Sequence, residues 1–132
     1  MALPPEILKS LVATFRSELA EHLQGISEQL LMVEGGLSDE ERTVALDVAM
    51  RSAHNIKGGA RSIGISEVGR ISHCAESLFL ALKDGTAPVT SGVTDLCLEA
   101  IDRIKQAMES FEEETELDFD IENFSTSSLE KS

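Results

Sequence analysis

The sequence predicts an all-α fold, an antiparallel up-and-down four-helix bundle, and three observations carry that prediction. Apolar residues recur at three- and four-residue spacing along four separate segments. Short links bearing glycine or proline separate those segments. Sustained strand alternation is missing except in "LDFDI", Leu117 to Ile121, which is short. Four amphipathic helices on short links bury their stripes against one another. At 132 residues the chain is long enough for one domain with a real core.

The first helix follows Pro4 and Pro5, a good start signal. Its stripe is Leu8, Leu11, Phe15, Leu19, Leu23, Ile26, Leu30 and Val33, and Gly35-Gly36 stops it. Ser38 and Asp39 are the candidate caps of a second helix. That helix carries Val44, Ala45, Val48, Ala49, Ala53, Ile56, Ala60 and Ile63, and is expected to end at Gly64. Ser66 is the expected cap of a third, whose stripe is Ile71, Ala75, Leu78, Phe79 and Leu82, closed by Asp84-Gly85. After a Thr-Ala-Pro turn, Ser91 is the expected cap of a fourth, with Leu96, Cys97, Ala100, Ile101, Ile104, Met108 and Phe111 facing inward. The bundle is thus assigned to residues 1–114. Residues 115–132 form an acidic, Ser/Thr-rich tail that reads as linker or a short extra helix.

Charge narrows the function classes. The formal net charge is −13, which argues against nucleic acid or an anionic membrane as partner, because both need a basic face. No run of eighteen apolar residues and no basic-then-apolar leader occurs, so neither a membrane span nor a signal peptide is expected. Cys74 and Cys97 lack metal-ligand or CxxC spacing and read as buried free thiols of a reducing cytoplasm. The acid is uneven. From Glu112 to Ser132 there are eight carboxylates against Lys131 alone, whereas Val48 to Ser66 holds no Asp or Glu but does hold Arg51, Lys57 and Arg61. His54 sits inside that positive window.

Within the window, "AHNIKGGARSIG" sets Gly58 beside Gly59 in a segment that otherwise favours helix. Each glycine inside a helix costs about 1 kcal/mol relative to alanine. The apolar period runs past the pair without a change of phase, so the helix is expected to continue and the bare backbone to serve a purpose. Lys57, Gly58 and Arg61 follow His54 at three, four and seven residues and share its face. That face shows an imidazole, a cation, a gap and another cation. A gap next to a histidine lets a second macromolecule bring its own active site close.

Imidazole, with an ordinary pKa of about 6.5, supplies a neutral nucleophile at cell pH. Lys57 and Arg61 could neutralise charge on phosphoryl oxygens. A carboxylate taking the proton of one ring nitrogen would leave the other free to attack. His73 and Glu76, in "HCAE" on the next helix, share one face and offer that carboxylate. A metal site built from His54, His73 and Glu76 is the sharper rival. Di-metal bundles, however, need two Glu-x-x-His motifs, and here there is one His-x-x-Glu in the opposite order.

"HNIKGG" followed by Gly64 resembles the HxxKG signature of histidine phosphotransfer (HPt) domains of two-component phosphorelays. The match is closest to the amino-terminal phosphotransfer domain of the chemotaxis histidine kinase CheA. In that group "AHxIKGGAxxxG" is followed on the next helix by a His and a Glu at the spacing of His73 and Glu76. The likeness is strong from Ala53 to about Gly85 and absent as a signature in the tail. It implies that His54 is the phosphoacceptor, that Glu76 orients its ring, and that Lys57 and His73 complete the hydrogen-bonding cluster. It further implies that Gly58 and Gly59 give clearance to the kinase and the receiver domain. Arg61 departs from the group, which usually has a small residue there, and reads as an added phosphate contact or a partner-specific bump.

The chain is therefore expected to be a monomeric, cytoplasmic phosphocarrier with no cofactor and no metal. Nothing in it resembles an ATP-binding motif, so it is not an enzyme on its own. Its expected partners are an ATP-dependent histidine kinase domain and the aspartate of a response-regulator receiver domain. The alternative is a non-phosphorylated helical docking adaptor.

Overall fold

The computed structural model describes residues 4–113. The tail and its "LDFDI" run lie outside the described residues. Four helices follow one another: α1 (Pro5–Glu34), α2 (Asp39–Ser62), α3 (Ser66–Asp84) and α4 (Ser91–Glu113). α1 packs on α2, α2 on α3 and α3 on α4, and α4 returns to α1, closing the bundle around one core. Among the described residues there is no strand.

Local chemistry sets most of the boundaries. Pro5 opens α1 where a missing N–H costs nothing, and the helix ends at Glu34 before Gly36, whose φ of +94° only glycine adopts freely. Ser38 caps α2 in a reciprocal box: its Oγ accepts from the Glu41 N–H at 3.2 Å, and Glu41 Oε1 accepts from the Ser38 N–H at 3.3 Å. α2 ends at Ser62, two residues before Gly64, which turns the chain at φ +81°.

Two expected caps sit one residue off. Ile65, not Ser66, precedes the first turn of α3, and no side chain caps it. Ile65 is fully buried instead, so burial fixes this corner where a cap hydrogen bond does not. At α4 the capping oxygen belongs to Thr90, whose Oγ1 accepts from the Val93 N–H at 3.2 Å, and Ser91 is the first helical residue.

The core contains the expected stripes with three corrections. Val44 and Val48 are exposed, and Leu46 is buried in their place. Ala49, Ala53, Ile56 and Ala60 set the phase of α2, and at about 100° per residue Val44 and Val48 fall well outside that arc. Leu11 is exposed as well and Leu8 only half-buried. Phe15 lies against Gly59, three residues before α2 ends, so the first two turns of α1 run beyond their neighbour. Of the thiols, Cys97 is fully buried, and burial pushes it up to about 12, while Cys74 is only half-buried. His22 is half-buried on α1.

Candidate functional site

The α2–α3 edge carries the site. α2 runs unbroken through Gly58 and Gly59 to Ser62, as the uninterrupted apolar period requires. The neighbouring buried residues Ala53 and Ile56 fix the rotation of the helix. That rotation turns His54 outward, with 63% of its side chain exposed. α3 is held by Ile71, Ala75, Leu78 and Phe79, and this aims Glu76 across the groove toward α2.

The three groups meet on one carboxylate. His54 Nδ1 lies 2.6 Å from Glu76 Oε2, and Lys57 Nζ donates to Glu76 Oε1 at 2.5 Å. Glu76 and Lys57 keep only 18% and 15% of their side chains exposed, so this bond is shielded while the ring stays in solvent. Burial works to raise the Glu76 carboxyl. The hydrogen bonds from Lys57 and His54, together with their charges, outweigh it and hold the group below the usual carboxylate range. Glu76 is therefore an anion at neutral pH and can only accept. The proton of a neutral ring then belongs on Nδ1, and Nε2 keeps its lone pair. No group among the described residues hydrogen-bonds Nε2. The arrangement yields one solvent-facing nucleophilic nitrogen of fixed tautomer.

Lys57 donates to Glu76 and secures its ionised form. His73 is not part of the cluster: it lies exposed on α3, and among the described residues no hydrogen bond joins it to His54, Lys57 or Glu76. Likewise no three His, Cys, Asp or Glu side chains among the described residues gather as a metal site would.

The glycine pair divides. A methyl group added at Gly58 would meet nothing within 4 Å, so open space stands one turn beyond His54. A methyl at Gly59 would stand 3.0 Å and 3.1 Å from Cε1 and Cδ1 of Phe15. Gly59 thus gives clearance to the protein's own α1, not to a visitor, which corrects the expectation that both glycines serve docking.

One contributor was not legible in the sequence. Gly69, buried on α3, lets Arg61 lie across its backbone: a methyl there would be 3.3 Å from Arg61 Cγ and 3.8 Å from both its Nε and the Lys57 carbonyl oxygen. A glycine within a helical stripe, seven residues before Glu76, was the available signal.

Comparison with known proteins identifies the family and the fold. The model of the Hpt domain family matches residues 10–114. The chemotaxis protein CheA of Bacillus subtilis is 31% identical over 96 residues, which are 73% of this chain and 14% of CheA. A gliding motility regulatory protein of Myxococcus xanthus is 36% identical over 94 residues, 71% of this chain and 12% of that protein. The chain therefore spans only a small part of the length of these relatives. Among solved structures, the phosphorylated P1 domain of CheA3, crystallised in complex with CheY6 from R. sphaeroides, superposes with a TM-score of 0.74. It shares 19% identity and covers 93% of this chain and 98% of its own. The chain belongs to the Hpt domain family.

Proposed function

We propose that His54 is the phosphoacceptor of this Hpt domain. It takes a phosphoryl group from ATP bound to a separate histidine kinase domain and passes it to an aspartate of a response-regulator receiver domain. The observation that supports this most is the hydrogen bond of His54 Nδ1 to an ionised, lysine-held Glu76 while the ring stands in solvent.

In the first step the Nε2 lone pair attacks the γ-phosphorus. An N–P bond forms, the bond to the β,γ-bridging oxygen breaks, and ADP leaves with that electron pair. The ring becomes cationic with its proton still on Nδ1, and Glu76 stabilises that charge. In the second step a carboxylate oxygen of the receiver attacks the same phosphorus. The N–P bond breaks, an acyl phosphate forms, and the neutral ring returns. Gly58 leaves room for both partners. The domain carries the group and catalyses nothing alone. We place it in the cytoplasm, with ATP, as part of a CheA-like kinase.

The reading is tested by incubating the protein with a kinase domain and γ-labelled ATP, with His54→Gln as control. Label on the wild type alone is the expected result. Equal labelling of both proteins, or of neither, defeats it and favours the docking adaptor.

A further inference from the structure

We propose that Arg61 is a specificity-determining residue, whose guanidinium pairs with a carboxylate on the acceptor protein as that protein docks over Gly58. The inference rests on the reading of His54 as phosphoryl donor and names what selects its acceptor.

Three cations lie in the acid-free window, and the structure spends two of them. Arg51 Nε is 2.9 Å from Asp47, and Lys57 Nζ is 2.5 Å from Glu76. Arg61 is exposed and has no ion pair among the described residues. It is the cation left over on the face of His54.

Its placement is directed. Seven residues bring the helix back to within about 20° of His54 and roughly 10 Å further along the axis. Gly58 lies between the two with nothing above it. The Arg61 stem rests against the bare backbone of Gly69, so its first carbons are already positioned by the α2–α3 packing. A stem held in this way loses less freedom when its charged end finds a partner.

The partner's chemistry follows from charge. The formal net charge is −13, so the chain as a whole repels an acidic protein. An acceptor whose reacting group is a carboxylate has to be admitted where a cation shows, and beside His54 that cation is Arg61. A rim charge of this kind acts mainly on encounter rate and on the choice between partners. Contact of Arg61 with the phosphoryl group itself is the competing role, and the experiment separates the two.

His54 is first labelled by the kinase domain, and phosphotransfer is then followed to a panel of receiver domains from the protein's own organism. The variants are Arg61→Gln, which keeps a stem over Gly69, and Arg61→Glu. The lifetime of the isolated phosphohistidine is expected to match wild type, transfer is scored per labelled His54, and the Tm of Arg61→Gln should stay close to wild type. Transfer to the preferred receivers should fall roughly tenfold in Arg61→Gln and further in Arg61→Glu, with a weaker dependence on salt. Poorly served receivers should change little, so the ranking flattens. Reversing one receiver carboxylate to lysine should restore Arg61→Glu. Unchanged transfer overturns the proposal, as does a single factor of loss with every receiver accompanied by an altered phosphohistidine lifetime. Absence of label on wild-type His54 would instead overturn the underlying phosphoacceptor reading, and this proposal with it.

Discussion

α2 and α3 are tied together twice by the same device. At one level Lys83 of α3 donates to Asp47 Oδ1 of α2 at 2.8 Å, and Arg51 takes Oδ2 at 2.9 Å. At the other the roles are exchanged: Lys57 of α2 donates to Glu76 Oε1 of α3, and His54 takes Oε2. Each carboxylate thus bridges the helices through one lysine and gives its second oxygen to a side chain of α2. The difference is that second side chain. Arg51 carries a permanent, delocalised charge and no lone pair. His54 has two nitrogens, and holding one leaves the other available. The clamp is architecture in both places and becomes a reactive site only where an imidazole occupies it beside bare backbone.

The largest expected effect breaks that equivalence directly. Glu76→Gln removes the negative charge that fixes the His54 tautomer and stabilises the phosphorylated ring. The rate of His54 labelling by a kinase domain should fall roughly a hundredfold. Asp47→Asn removes the matching charge at the other level and should leave that rate unchanged. Equal rates for Glu76→Gln and wild type would reduce Glu76 to a second structural clamp.

In acid the two levels should behave alike. The hydrogen bond from Lys83 is the main cause holding the Asp47 carboxyl below its ordinary value, helped by the Arg51 and Lys83 charges against some burial. At Glu76 burial is the larger influence and opposes the shift, yet the Lys57 and His54 contacts prevail. Both groups bind protons less readily folded than unfolded. Their stabilisation is therefore complete above the ordinary carboxylate range and is lost as pH falls through it toward the lowered folded values. The wild-type Tm should fall between about pH 5 and pH 3, and Asp47→Asn and Glu76→Gln should each flatten that descent. A wild-type Tm that stays level to pH 3 would show that neither clamp contributes.

The reactive level was easier to see in the sequence than its structural counterpart, and the reason is locality. His54, Lys57, Gly58 and Arg61 lie on one helix and Glu76 on the next, joined by a tight link. Helical periodicity and a single hairpin bring them together. The packing roles of Gly59 and Gly69 depend on which residue of a neighbouring helix arrives at that level, Phe15 in one case and Arg61 in the other. Interhelical register is set by the whole core, and no local pattern encodes it. The same limit explains Val44 and Val48. Two adjacent apolar columns, 44/48 and 45/49, fit the helical period equally well, and only the neighbouring helices select the second. His73 shares a face with Glu76, as the spacing required, but among the described residues no hydrogen bond joins it to the imidazole, Lys57 or Glu76.

The smallest effects sharpen the comparison within the reactive level. Gly58→Ala meets no atom and removes a flexible residue from a helix, so it should stabilise the fold by about 1 kcal/mol and raise Tm by roughly 4 °C. It should also slow phosphotransfer, because the added methyl stands where a partner passes. Gly59→Ala gains the same helix propensity but forces a methyl onto the buried Phe15 ring, an overpacking that typically costs 1–3 kcal/mol. Its net loss should be about 1 kcal/mol, with phosphotransfer per folded molecule retained. Phe15→Leu, added to Gly59→Ala, should recover part of that loss by relieving the contact. Thermal melts and transfer rates on the same samples read both quantities. Stability and rate should move in opposite directions at Gly58, while at Gly59 stability alone should move. If both alanines raise Tm and slow transfer alike, Phe15 gives way without cost and the two glycines form a single clearance.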